Sequence, residues 1–154
     1  MASKSNGFMV RLAAAALFAA WSAVGATWAA EDRVAIKGYD PVAYFTESRP
    51  TVGDPNYQFE WDGAVYRFVS ARHLDMFKAN PDRYLPQFGN LCTASLAGGL
   101  KIAGDPRYWL VRDGKLYLFG SPPGPDLMTL NPADMMAKAD AHWIKMSRPS
   151  ANRP

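Results

Sequence analysis

"YQFEWDGAVYRFVS" (57–70) decides how the chain is read. Two runs rich in aromatic and β-branched residues meet at Asp62-Gly63. Asp-Gly is a preferred pair for a two-residue type I′ turn, because both central residues of that turn need positive φ. The turn predicts a register with Trp61 opposite Ala64, Phe59 opposite Tyr66 and Tyr57 opposite Phe68. Side chains alternate along a strand, so these six share one face and Gln58, Glu60 and Arg67 the other. The first face is expected to be core and the second wet.

Working outward, "DPRYWLVRDGKLYLF" (105–119) is a second hairpin, on Asp113-Gly114. It predicts Val111 opposite Leu116, Leu110 opposite Tyr117 and Trp109 opposite Leu118. Both of its faces are apolar, which suggests a more central place. "DGAVYRF" and "DGKLYLF" echo each other, though two hairpins do not by themselves make a repeat. Before the first hairpin, Asp40-Pro41 reads as an N-cap followed by proline at the first helical position. After it, "SARHLDMFKANPDRYLPQFG" (70–89) reads as two short helices. Ser70 caps the first, with Leu74 and Phe77 facing inward, and Asn80-Pro81 starts the second. "LCTASLAGGLK" (91–101) predicts a short buried helix stopped by Gly98-Gly99. "GSPPGPD" (120–126) reads as a loop. "NPADMMAKADAHWIKM" (131–146) is a helix capped by Asn131, with Asp134 at its positive end. The expected class is α+β: a small antiparallel sheet from two β-hairpins, short helices packed on it, and a C-terminal helix.

The first 29 residues read as a signal peptide. Lys4 and Arg11 make the positive region, "LAAAALFAAWSAVGA" (12–26) the apolar one, and Ala26 or Ala29 precedes the cleavage site. The apolar run is short of the roughly 20 residues of a spanning helix. The expected location is therefore periplasmic or secreted, with no stable membrane span once the leader is removed. The domain then covers 31–146, and 147–154 is expected to be a disordered tail. All 14 acidic residues follow the leader, which carries two of the 17 basic ones, so the working chain is close to neutral. No Lys/Arg run exists, which argues against nucleic acid as a partner.

Cys92 is the one cysteine of the chain, so no intramolecular disulfide can form. Two readings are open. It is a soft thiolate ligand or redox thiol, or a small buried hydrophobe in an Ala/Ser/Gly-rich helix.

"GYDPVAYF" (38–45), "YRFVSARHLDMFKANPDRYLPQFG" (66–89), Cys92, Gly114, Tyr117 and "ADAHW" (139–143) resemble the YHS domain family, in particular its small secreted bacterial members. The likeness spans about 35 to 143. It implies a non-catalytic binding module with a link to metal handling. Some members carry a cysteine just before the serine that follows the first hairpin, and another a few residues later. This chain has Val69 at the first place and no cysteine at the second, so those thiolates are missing.

The soft-ligand inventory that remains is Cys92 first, then His73, Met76, Met135, His142 and Met146. Thioether, thiolate and imidazole donors suit copper. Met135, His142 and Met146 also fall on one helix face, where methionine is ordinarily core filler. Spacings such as CxxC or HxxxH for structural zinc are absent, as are GxSxG and a Gly-rich phosphate loop. Cys92 with His73 or His142 could form a thiol–imidazole pair only by meeting in space. Asp40 is a carboxylate whose place before Pro41 fits a cap better than a catalytic acid. Two expectations follow. One is transition-metal binding, copper first, through Cys92. The other is a module that docks a protein or small ligand through its aromatic sheet, with Cys92 structural.

Overall fold

The structure is a computed structural model that describes residues 33–147; the predicted signal peptide and all of the predicted tail but Ser147 lie outside them. The domain begins at Val34 and is one compact unit.

Both hairpins form on their Asp-Gly turns. β1 (Asp54–Trp61) pairs antiparallel with β2 (Ala64–Phe68), with Trp61 opposite Ala64 and Phe59 opposite Tyr66. β3 (Asp105–Arg112) pairs with β4 (Lys115–Phe119) in the three predicted pairs. Asp62, Gly63, Asp113 and Gly114 all adopt positive φ, as the turn type requires. The third pair of the first hairpin is corrected: Phe68 stands opposite Asp54, not Tyr57, because the register shifts between Asp54 and Gln58. The cause is local. Pro55 has no N–H for the ladder, and Asp54 turns its carboxylate to the Asn56 N–H at 2.8 Å. Asp105, Pro106 and Arg107 repeat this in β3, with a 2.9 Å bond. In each hairpin a glycine precedes the bulge. A Cβ at Gly53 would lie 2.5 Å from the Arg67 carbonyl carbon, and one at Gly104 would lie 2.8 Å from Leu118 Cβ.

The hairpins are separate two-stranded sheets. The outer edge of each second strand is taken by a nearby segment: Val34 bridges to Val65, while Pro86 and Cys92 bridge to Leu116 and Leu118. The sheets pack on two cores, the second sheet contributing to both. The first core gathers Ile36, Val42, Tyr44, Tyr66, Phe68, Phe77 and Tyr84, with Leu116 and Leu118 crossing from β4. The second gathers Phe88, Cys92, Leu96, Tyr117, Phe119, Met128 and Ala139. Tyr57 and Trp61 of β1 stay half-exposed, so the face predicted to be core is only partly so.

The helices are α1 (Ala43–Thr46), α2 (Ala71–Ala79), α3 (Pro81–Tyr84), α4 (Thr93–Ala97), α5 (Pro123–Leu130) and α6 (Pro132–Ser147). Ser70 caps α2 and Asn80 caps α3, as predicted. α5 corrects the loop reading of "GSPPGPD". Its prolines fall just before and within the first turn, where a missing N–H costs nothing. Gly124 lies where a Cβ would come within 2.5 Å of Phe119 Cβ.

The echo between the hairpins extends much further. Residues 53–68 and 104–119 agree at eight of 16 positions without a gap, at an offset of 51. The same offset pairs Ser70 with Ser121, Asp75 with Asp126, and Asn80-Pro81 with Asn131-Pro132. The backbone follows. The bulges coincide, the Ser48 and Gly99 positive-φ positions coincide, and Asn80 and Asn131 both accept from the residue three further on. The Asp40 N–H donates to Thr51 O at 2.8 Å, and the Cys92 N–H to Ile102 O at 2.8 Å. The domain is two copies of one unit, helical turn, hairpin, helix, helix, with the second hairpin contributing side chains to both cores. By these bonds Cys92 stands in the place of Asp40.

Candidate functional site

The first copy contains a buried polar cluster built from three elements. Asp40 precedes α1 and is fully buried. Its Oδ1 accepts the N–H groups of Val42 at 2.8 Å and Ala43 at 3.3 Å, so the predicted cap is real. Its Oδ2 accepts the Val69 N–H, at the end of β2, at 2.8 Å. The same oxygen meets Nδ1 of His73 at 2.7 Å. Ser70, by capping α2, places His73 in that helix's first turn, facing inward and 7% exposed. A carboxylate can only accept, so this contact places a ring proton on Nδ1, and in the neutral imidazole Nε2 is then the acceptor. Nε2 lies 3.2 Å from the Thr46 hydroxyl, which also lies 3.1 Å from Val42 O. Thr46 is at the exposed end of α1. The result is a hydroxyl–imidazole–carboxylate chain running from surface to core.

Tyr44 backs this cluster. Its hydroxyl donates to Pro106 O at 2.9 Å, and its ring meets Trp109 edge-on. Burial first, then the charges of Tyr39, Asp105 and Asp40, push its phenol well above the ordinary tyrosine range. Tyr66 and Tyr117 are raised for the same main reason. The sign is fixed by proton counts. Above about pH 10 the unfolded chain loses the tyrosine proton while the folded one keeps it, so stability falls as pH rises. The unfolding free energy from urea titrations should therefore fall above pH 10, by about 1.4 kcal/mol per pH unit for the Tyr44 proton. Tyr44→Phe should flatten that limb, and an unchanged slope in the variant would refute the assignment.

The second copy holds Cys92, which is 4% exposed. Its sulfur accepts the Ser95 N–H at 3.4 Å, so it caps α4 as Asp40 caps α1. It shares a core with Phe88, Leu96, Tyr117, Phe119 and Met128, against which Met135 and Met136 pack.

The six candidate ligands are divided among these places. Cys92 and Met135 share the second core. His73 is bound to Asp40, and Met76 packs on the first core. His142 rests against Gly99, where a Cβ would lie 3.4 Å from its Nε2. Its Nδ1 is buried without a hydrogen-bond partner, as is the Thr93 hydroxyl. Met146 is exposed near the end of α6. Among the described residues no three His, Cys, Asp or Glu side chains gather as a metal site would need. None of the described helices is long and apolar enough to cross a membrane.

Sequence reasoning named Asp40 and His73 separately and missed their pairing. It missed Thr46 altogether, and it did not join Met128 and Met136 to Cys92. The Ser70 cap was the usable signal, since it fixes which turn His73 occupies. Nothing local links position 73 to position 40. Comparison with protein-family models, curated proteins and solved structures finds no match.

Proposed function

We propose that the chain is a YHS-type binding module of the periplasm or cell exterior, that it works without turnover, and that Cys92 is structural in it. The leader and the extent of the resemblance support the compartment and the family. The observation that carries the role of Cys92 is its position: a buried sulfur capping α4, where the first copy uses Asp40 to cap α1. A cap with a bonded backbone N–H explains why a small side chain with an accepting atom is kept there.

The surface supports docking of a partner protein. Tyr57 and Trp61 stand half-exposed on β1. In the second copy, Leu100 and Ile102 of the loop after α4 are also exposed. Their counterparts in the first copy are Arg49 and Thr51, which bond to Glu47 at 2.9 and 3.3 Å. The second copy has replaced a polar network by apolar side chains that face water.

One observation favours a second reading, copper binding: the sulfurs of Met128, Met135 and Met136 belong to the core that holds Cys92. A Cu(I) titration of the reduced protein against a competing chelator, beside Cys92→Ser, separates the two. The structural reading expects the chelator to keep the copper in both proteins. Tight one-to-one binding that disappears in Cys92→Ser would overturn it.

A further inference from the structure

We propose that Thr46 is an acyl-acceptor site, its hydroxyl activated by His73 and the imidazole positioned by Asp40, and that it takes its acyl group from an activated ester.

The geometry has the three parts that nucleophile activation needs: a hydroxyl, a base within hydrogen-bond reach, and a third group that orients the base. The distances are 3.2 Å from Thr46 Oγ1 to His73 Nε2 and 2.7 Å from His73 Nδ1 to Asp40 Oδ2. Asp40 is itself held by three backbone N–H groups, so the imidazole cannot swing without breaking a buried network. The single proton of the hydroxyl has two acceptors at nearly equal distance, Val42 O and Nε2. Rotation about one bond moves it from the first to the second and leaves the oxygen free to attack. Thr46 is exposed, so an ester can reach it.

The duplication tests the bland alternative, that the chain of bonds serves only the fold. The second copy keeps the helical turn, the bulged hairpin and the capped helices. It replaces all three members: Cys92 stands for Asp40, Gly124 for His73 and Ala97 for Thr46. The architecture therefore forms without the relay. What the first copy adds is a hydroxyl, on an exposed residue, with a base within hydrogen-bond reach.

In the step, a bond forms between Thr46 Oγ1 and the acyl carbon, and the bond from that carbon to the ester oxygen breaks. The threonine proton passes to Nε2 and leaves with the departing alkoxide or phenoxide. No electron transfer is involved. This goes beyond the binding role, since one acyl group per chain is taken and none is turned over.

The test uses p-nitrophenyl acetate and peptide mass spectrometry on the purified protein. The expected result is one acetyl group at Thr46, formed about 100-fold faster than in His73→Asn, the scale of a lost general base. Asparagine keeps an N–H toward Asp40 and loses only the function of Nε2. Reaction should be slower in D2O for the wild type and not for that variant, a difference that a merely structural histidine would not produce. Thr46→Ser should still be acetylated at residue 46, while Thr46→Val should not. No acetyl group at Thr46, or an equal rate in His73→Asn, would overturn the proposal.

Discussion

Asp40→Ala should lower the unfolding free energy by about 3–5 kcal/mol, because it strands several buried hydrogen-bond donors at once. The carboxylate satisfies the N–H groups of Val42, Ala43 and Val69 and the His73 ring nitrogen at once. Alanine leaves all four donors facing a space closed to water, since Asp40 is fully buried, and each buried unpaired group costs about 1–3 kcal/mol. Not all are lost in full, because the backbone at α1 can shift toward solvent. The equivalent change in the second copy, Cys92→Ala, should cost about 1–2 kcal/mol, since it removes one weak cap bond and a small apolar side chain. Urea unfolding of the two variants decides the matter. With a slope of about 2 kcal/mol per molar urea, Asp40→Ala should move the midpoint by roughly 2 M and Cys92→Ala by less than about 1 M. Equal shifts would mean that Asp40 is an ordinary cap and that its bonds to Val69 and His73 are incidental.

The parts of this fold that were legible in the sequence are those settled within a few residues. Asp62-Gly63 and Asp113-Gly114 dictate their turns through positive φ, so the hairpins and five of six predicted pairs follow. The sixth failed because a bulge depends on what Asp54 and Pro55 do to the ladder, which alternation alone does not encode. α5 was hidden by its own start. Pro122, Pro123 and Pro125 with Gly124 look like punctuation, yet a first turn tolerates proline, and Gly124 fits closely against Phe119. The duplication was half visible. The echo of "DGAVYRF" in "DGKLYLF" is short, and the rest of the signal lies in single Gly, Asp, Pro, Ser and Asn residues at turns and caps, because these fix backbone geometry while core residues exchange freely. The Asp40–His73 contact was not legible, since the two lie 33 positions apart and meet only after the first hairpin folds back.

That freedom of exchange in the core carries its own expected result. Phe77→Ala should destabilise the domain by about 3–5 kcal/mol, whereas Phe77→Met should cost less than about 1.5 kcal/mol. Phe77 is fully buried on the inner side of α2. Its ring centroid lies 5.0 Å from that of Tyr66, 5.1 Å from Phe68 and 6.5 Å from Phe59. Alanine empties that position and leaves three rings without their common neighbour. Methionine is what the second copy already uses there: Met128 is equally buried and shares its core with Tyr117 and Phe119, the counterparts of Tyr66 and Phe68. A thioether bends to the space between two rings and restores most of the lost contacts. Thermal unfolding of both variants gives the comparison. If Phe77→Met falls as far as Phe77→Ala, the two cores do not obey the same packing rule, and the duplication would then extend to the backbone and its turns but not to the side chains between them.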